Sequence, residues 1–178
     1  MTRMTRPLSR RHLLLAGAAA AVISACSGGG REAAAEAKAK AGGADPYADS
    51  EWRKLTEVEW KERLGPKAFA VLRKEDTERA FTSPLEHEKR QGTYHCAGCD
   101  LPLFSSDKKF DSGTGWPSFW DVIPGAIGTS ADHKLFYVRT EYHCARCLGH
   151  QGHVFDDGPA PTGQRWCNNG VALTFRPA

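Results

Sequence analysis

Cys96-Ala97-Gly98-Cys99 and Cys144-Ala145-Arg146-Cys147 are two C-x-x-C stretches separated by 44 residues. Each suits a metal-binding knuckle, a tight turn that presents two thiolates to one ion, and two knuckles complete a tetrahedral Zn²⁺ site. The separation is longer than in a short zinc ribbon, so a substantial part of the fold must leave the first knuckle and return to close the site. The metal then acts as a structural clasp. Two disulfides or a redox-active pair are the competing readings. Neither stretch lies in a βαβ pattern, and paired knuckles point to zinc more strongly than either alone.

Outward from the first knuckle, short β-type runs cover Thr93 to Cys96, Pro102 to Phe110, Lys134 to His143 and Val171 to Phe175, punctuated by Gly, Pro, Asp and Ser. No long helical stripe intervenes, which argues for antiparallel sheets rather than a parallel α/β fold. Before Gly92 the period changes. Trp52, Leu55, Val58, Trp60, Leu64, Phe69 and Leu72 recur at roughly helical spacing and are read as core. Thr56 followed by Glu59 is a capping box, and Gly65-Pro66 ends one short helix and starts another. The expected class is mainly β with short N-terminal helices.

The N-terminus has a different character. Residues 1–26 carry a basic stretch, a 13-residue weakly apolar run from Leu13 to Ala25 and small residues before Cys26, the layout of a secretory signal. That run is too short to span a bilayer. Ser9-Arg10-Arg11-His12-Leu13-Leu14 resembles a twin-arginine signal, a route that would let the domain load zinc before export. Ile23-Ser24-Ala25-Cys26 resembles a lipobox, which makes Cys26 the expected lipid attachment site and the membrane a partner. Residues 27–45, rich in Gly, Ala, Glu and Lys, read as a flexible tether to a domain over 46–178. An exported protein at the periplasmic or outer face of the envelope is expected. The formal charge of +3 depends on this leader: without Arg3, Arg6, Arg10 and Arg11, 20 basic residues face 21 acidic ones. No basic patch argues for nucleic acid, and a monomer is expected.

Five cysteines thus have non-catalytic readings, and Cys167 in Arg165-Trp166-Cys167-Asn168-Asn169 remains. Its polar neighbours favour a lined site over a small buried hydrophobe. Gly149-His150-Gln151-Gly152-His153-Val154-Phe155 supplies two histidines that suit metal ligation or proton donation. No H-E-x-x-H helix is present to make a catalytic zinc centre. Cys167 with a histidine and Asn169 also fits a cysteine hydrolase, and exposed loop histidines are the bland alternative. Gly113-Thr114-Gly115-Trp116-Pro117-Ser118-Phe119-Trp120 reads as an exposed loop that offers an aromatic wall to a small apolar group, with Phe119 and Trp120 in the core.

Residues from about Glu57 to Phe175 resemble the methionine sulfoxide reductase B family. The match runs through Thr77-Glu78-Arg79-Ala80-Phe81, Gly92-Thr93-Tyr94-His95-Cys96, Phe110-Asp111-Ser112-Gly113, Gly115-Trp116-Pro117-Ser118-Phe119, His150-Gln151-Gly152-His153-Val154-Phe155, Asp157-Gly158-Pro159, Pro161-Thr162-Gly163 and Arg165-Trp166-Cys167-Asn168-Asn169. The resemblance implies two antiparallel β-sheets, a β-tent, with structural zinc held by Cys96, Cys99, Cys144 and Cys147 and no organic cofactor. It implies reduction of methionine-R-sulfoxide in oxidised proteins or peptides. Cys167 matches the nucleophile, His150, His153 and Asn169 match residues that position and protonate the sulfoxide, and Trp116 and Phe155 match the substrate-binding wall. Arg165 matches a residue that helps lower the thiol pKa.

One position departs from the family pattern. Many members carry a second cysteine between the two glycines before Trp-Pro-Ser-Phe, where this chain has Thr114. Threonine cannot form a disulfide, so recycling of a Cys167 sulfenic acid is expected to use a thioredoxin-like partner or another outside thiol. A binding module that holds a ligand without turnover is the alternative from another class.

Overall fold

A computed structural model of the chain describes residues 45–178. The twin-arginine signal, the lipobox with Cys26 and all but the last residue of the tether lie outside the described residues. Asp45 pairs with Arg53 at 2.6 Å. A short 3-10 turn over Glu51–Arg53 then leads into helix α1, Glu57–Lys74. No helix among the described residues is long and apolar enough to cross a membrane.

The capping box at the start of α1 is present: Glu59 accepts the Thr56 backbone N–H at 2.7 Å, and the Thr56 hydroxyl accepts from Glu59 N–H. The break read from Gly65-Pro66 is also present, since Gly65 adopts φ 69° and interrupts the helix. Trp60, Phe69 and Leu72 are buried, while Trp52, Leu55 and Leu64 are partly so. Val58 departs from the expected stripe. It sits in the first turn, on the outer face, and is exposed.

Nine strands follow among the described residues: β1 Gly92–Cys96, β2 Pro102–Ser105, β3 Lys109–Phe110, β4 Ser118–Phe119, β5 Ile127–Asp132, β6 Arg139–Cys144, β7 His150–Phe155, β8 Arg165–Asn168 and β9 Leu173–Pro177. They form two sheets, ordered β2-β1-β9 and β3-β4-β8-β7-β6-β5, with every pairing antiparallel. This is the expected fold class. The two sheets share an aromatic core. Tyr94 and Phe104 from the small sheet meet Phe119 from the large one, Phe104 and Phe119 stacking at 4.2 Å and 11°. Tyr142 and Trp166 extend the cluster edge to face. Such ring pairs add roughly 0.5–1.5 kcal/mol each beyond area burial.

Several strand boundaries differ from the sequence reading. The run Pro102 to Phe110 is broken by a 3-10 turn at Ser106–Lys108, where the Ser105 hydroxyl accepts the Asp107 N–H. The run Lys134 to His143 begins its pairing only at Arg139, and its apolar front half is an exposed hairpin tip. Gly170–Ala172 forms a 3-10 turn, so the last strand starts at Leu173. β4, β5, β7 and β8 were not expected as strands, and β4 lies in the stretch read as an exposed loop. In β7 and β8 His150, Gln151, Gly152, His153, Arg165, Cys167 and Asn168 replace the apolar alternation that marks a strand.

Candidate active site

The two knuckles are built alike. Cys96 N–H donates to Leu101 O while Asp100 N–H returns to Cys96 O; Cys144 N–H donates to Gly149 O while Leu148 N–H returns to Cys144 O. Each turn closes on a left-handed residue, Asp100 at φ 63° and Leu148 at φ 59°. Together they bring all four buried sulfurs within 4.8 Å of one another, with Cys96–Cys147 at 3.6 Å and Cys99–Cys144 at 3.4 Å. A tetrahedral zinc with bonds of about 2.3 Å holds its sulfurs about 3.8 Å apart, so the donor set fits such an ion. Hydrogen bonds with the neighbouring thiols, and then burial, push Cys96 well above the ordinary thiol range, while the bonds Cys144 receives pull it down. Such a crowd of sulfurs suits a cation that lets all four ionise. The Gln151 amide N–H donates to Cys96 Sγ at 3.4 Å, tying the clasp to strand β7.

Sheet register assembles the second site. Ser118 lies opposite Cys167, Cys167 opposite His153, His153 opposite Glu141, and Glu141 opposite Ser130, a row across β4, β8, β7, β6 and β5. Opposed residues in an antiparallel pair hold their Cβ atoms about 4.5–5.5 Å apart on one face. Gly152, beside His153, permits this approach, since a Cβ there would drive into the Cys167 carbonyl oxygen.

Cys167, Trp116, His153, Phe155 and Asn169 line one cavity of about 120 Å³, together with Thr77 and Arg139. His150 is not among its lining residues. Its ring lies 5.5 Å from the His153 ring, its Nδ1 bonds Glu141 at 2.8 Å, and its Nε2 is buried without a partner among the described residues. Burial alone would raise Glu141, but hydrogen bonds with His143, His150 and Ser130 hold its carboxyl down at about 2. His153 Nε2 bonds Asp132 at 2.7 Å. The Lys134 backbone N–H, His153 and Arg139 hold Asp132 far below the usual carboxylate range, whereas burial pushes His153 below the usual imidazole value. His153 is therefore neutral near pH 7. Next to ionised Asp132 its proton sits on Nε2, leaving Nδ1 as an acceptor.

Burial raises the Cys167 thiol; Arg165, Thr114 and Ser118 oppose this and are outweighed. Arg165 thus acts to lower the thiol pKa, and burial acts more strongly against it. Arg165 is held by a bidentate bond to Asp157 at 2.8 and 2.9 Å and lies 4.3 Å over the Phe155 ring. Thr114 and Ser118 share bonds of 2.8 Å with Ser112, so a small hydroxyl network faces the thiol.

Trp116 and Asn169 are fixed by one segment. Trp116 Nε1 donates to Glu78 O at 3.1 Å, the Glu78 N–H donates to Asn169 Oδ1 at 3.0 Å, and the Glu78 carboxylate accepts the Gly170 and Val171 N–H groups. Asn169 Nδ2 donates to Gln151 O. Both ends of the Asn169 amide are therefore committed to the backbone. Phe119 is in the core as expected, while Trp120 is only half-buried, with Lys108 over its ring at 4.0 Å. Asp132, Glu141 and Arg139 escaped the sequence reading, and Glu78 appeared there only inside a matched motif with no role assigned. Their relation to Cys167 and the histidines arises from register and long-range packing, which leave no local spacing signal.

A mainly β domain with a four-cysteine clasp and a separate cysteine in a cavity with aromatic walls defines the class of SelR-domain proteins, and the SelR domain matches residues 64–177. The chain is 49% identical over 123 residues to the peptide methionine sulfoxide reductase MsrB of Agrobacterium fabrum, covering 68% of this chain and 91% of that protein. It is 52% identical over 122 residues to the MsrB of Methanosarcina barkeri, covering 68% and 86%. It is also 52% identical over 120 residues to the MsrB of Pseudomonas putida, covering 67% and 90%. The chain belongs to the methionine sulfoxide reductase B family.

Proposed function

We infer that this protein is a peptide-methionine (R)-S-oxide reductase in which Cys167 is the nucleophile and recycling uses an external thiol. The observation that carries this reading is the cross-strand pair Cys167–His153 beneath a cavity walled by Trp116 and Phe155. His153 Nδ1 accepts the thiol proton, and Asp132 stabilises the resulting imidazolium through Nε2. The Cys167 thiolate attacks the sulfoxide sulfur while the imidazolium protonates the sulfoxide oxygen. The S–O bond then breaks and the oxygen passes to Cys167. Substrate sulfur gains two electrons and Cys167 loses two, giving methionine and a sulfenic acid.

Arg165 stabilises the thiolate beside it. Trp116 and Phe155 take the S-methyl group, an apolar contact that excludes water from the reacting sulfur. Asn169, with its amide committed, positions the β8 loop against β7. His150 and Glu141 support His153 from behind. Zinc fits the four-cysteine donor set, and when bound it supplies folding stability rather than reaction chemistry. Its ligands would be Cys96, Cys99, Cys144 and Cys147.

The Thr114 and Ser118 hydroxyls lie beside the Cys167 sulfur and favour its ionised form. A hydroxyl at Thr114 cannot displace the sulfenic oxygen as a disulfide-forming sulfur would. Two equivalents of an outside thiol, or one dithiol, therefore reduce the sulfenic acid to thiol, releasing water and a disulfide. The leader motifs support an exported, lipid-anchored enzyme that repairs oxidised proteins outside the cytoplasm. Reduction of a methionine-R-sulfoxide peptide with dithiothreitol tests the reading. Cys167→Ser should lose at least ~1,000-fold in kcat/KM, as expected for loss of a nucleophile. Undiminished activity in that variant would overturn it.

A further inference from the structure

The most exposed apolar surface on the domain is the tip of the β5–β6 hairpin, where Leu135, Phe136, Tyr137 and Val138 are 46%, 110%, 61% and 61% exposed. Large apolar side chains gathered at a tip make no contribution to the core, and contiguous exposed apolar surface marks a binding face. The tip is joined directly to the site described above. Its two ends are the register pair Asp132↔Arg139. Asp132 holds His153, and Arg139, bonded to Asp132 at 2.6 Å, lines the Cys167 cavity.

We propose that this tip docks the apolar residues flanking a methionine sulfoxide in an unfolded or extended polypeptide, making the enzyme selective for oxidised methionines that had been buried. The inference rests on the sulfoxide-reductase reading of the Cys167 site. Continuity with the cavity wall argues for the polypeptide as occupant: Arg139 lines the cavity and the exposed Val138 precedes it directly, so a chain that leaves the cavity past Arg139 meets the tip. The cavity itself, about 120 Å³, accepts a side-chain head and leaves the rest of the peptide outside. Charge argues against a membrane surface as occupant. The two cations bracketing the tip, Lys134 and Arg139, are paired with Glu75 and Asp132, so among the described residues neither is left free for anionic headgroups. Methionines normally pack in cores. Their natural neighbours are therefore apolar, and oxidation exposes them by making the side chain polar.

The test compares the full chain with the Phe136→Ser/Tyr137→Ser double variant on three substrates. These are a blocked single methionine-R-sulfoxide, a peptide flanking it with Gly and Ser, and one flanking it with Leu, Val and Phe. The full chain should favour the apolar-flanked peptide over the Gly/Ser peptide about tenfold in kcat/KM, through KM. The double variant should erase that difference and leave the blocked single residue unchanged. Phe136→Leu, which keeps an apolar tip, should retain it. Equal rates on both peptides in the full chain would overturn the proposal, as would an equal loss on all three substrates in the double variant. Binding to neutral or anionic vesicles, or self-association, that disappears with the double variant would assign the tip to a membrane or a second copy and would also overturn it. Failure to reduce even the blocked single residue would instead remove the reductase reading, and this inference with it.

Discussion

The four clasp cysteines and Cys167 share one side chain and differ in what surrounds it. Cys96, Cys99, Cys144 and Cys147 are buried and see chiefly one another's sulfurs, at the ends of two turns of the same backbone design. Cys167 lies on a strand, partly exposed to a cavity, and sees a guanidinium, two hydroxyls and an imidazole across the sheet. Sulfurs that face sulfurs are organised for a cation and stability. A sulfur that faces donors and an aromatic-walled cavity has the setting of the nucleophile proposed above. The contrast lies in what each sulfur faces: two local turns build the clasp, and sheet register builds the surroundings of Cys167.

Breaking the clasp should have the largest effect. Structural zinc in small domains contributes an apparent ~10–16 kcal/mol, more than the whole ~5–15 kcal/mol stability of a typical domain. Cys144→Ser, or metal removal by a chelator, should therefore abolish the cooperative thermal transition and with it the near-ultraviolet signal of the Tyr94–Phe119–Trp166 core. Cys167→Ser should leave both intact while removing activity. A clasp variant that melts like the parent would erase the distinction drawn here.

A smaller effect sharpens the Cys167 side. Burial outweighs Arg165 and holds the thiol above its ordinary value of 9.0 in the free enzyme. A group with a raised pKa gains its thiolate only as pH rises, so kcat/KM should climb through neutral pH toward an inflection above that value. Arg165→Met removes the opposing charge and should move the inflection higher and the neutral-pH rate lower. An inflection near pH 6 would mean that the site stabilises the thiolate far more than its burial indicates.

The smallest effect concerns the row behind the thiol. Glu141 is depressed to about 2 from 4.5, so it contributes stability at neutral pH. That contribution shrinks as pH falls below the unfolded carboxyl value and is lost through the folded one. Denaturant midpoints should drop between pH 4.5 and 2, and Glu141→Gln should flatten that drop.

How much was legible beforehand follows the same contrast. The clasp is local in pattern, two C-x-x-C turns, and could be read directly; so could the capping box and Gly65-Pro66, each fixed by a few adjacent residues. Cys167 was legible by its polar neighbours and by family resemblance. His153 as its cross-strand neighbour was not, because β7 and β8 carry Gln151, Gly152, Arg165 and Asn168 where alternating apolar residues would reveal a strand. Asp132 and Glu141 were invisible for the same reason, being placed by sheet register rather than by spacing. The apolar run Leu135–Val138 misled in the opposite direction: its hydrophobicity suggested a buried strand, and it is an exposed tip.

The central claim is that Cys167 reacts alone, beside Thr114 where a second sulfur would resolve it. Its most direct test is a single turnover with stoichiometric methionine-R-sulfoxide peptide and no reductant, followed by sulfenic-acid trapping and peptide mapping. The account predicts an adduct on Cys167 only, no new disulfide, and, in Thr114→Cys, replacement of that adduct by a Cys167–114 disulfide. A disulfide from Cys167 to any of Cys96, Cys99, Cys144, Cys147 or Cys26 in the unmodified sequence would contradict it.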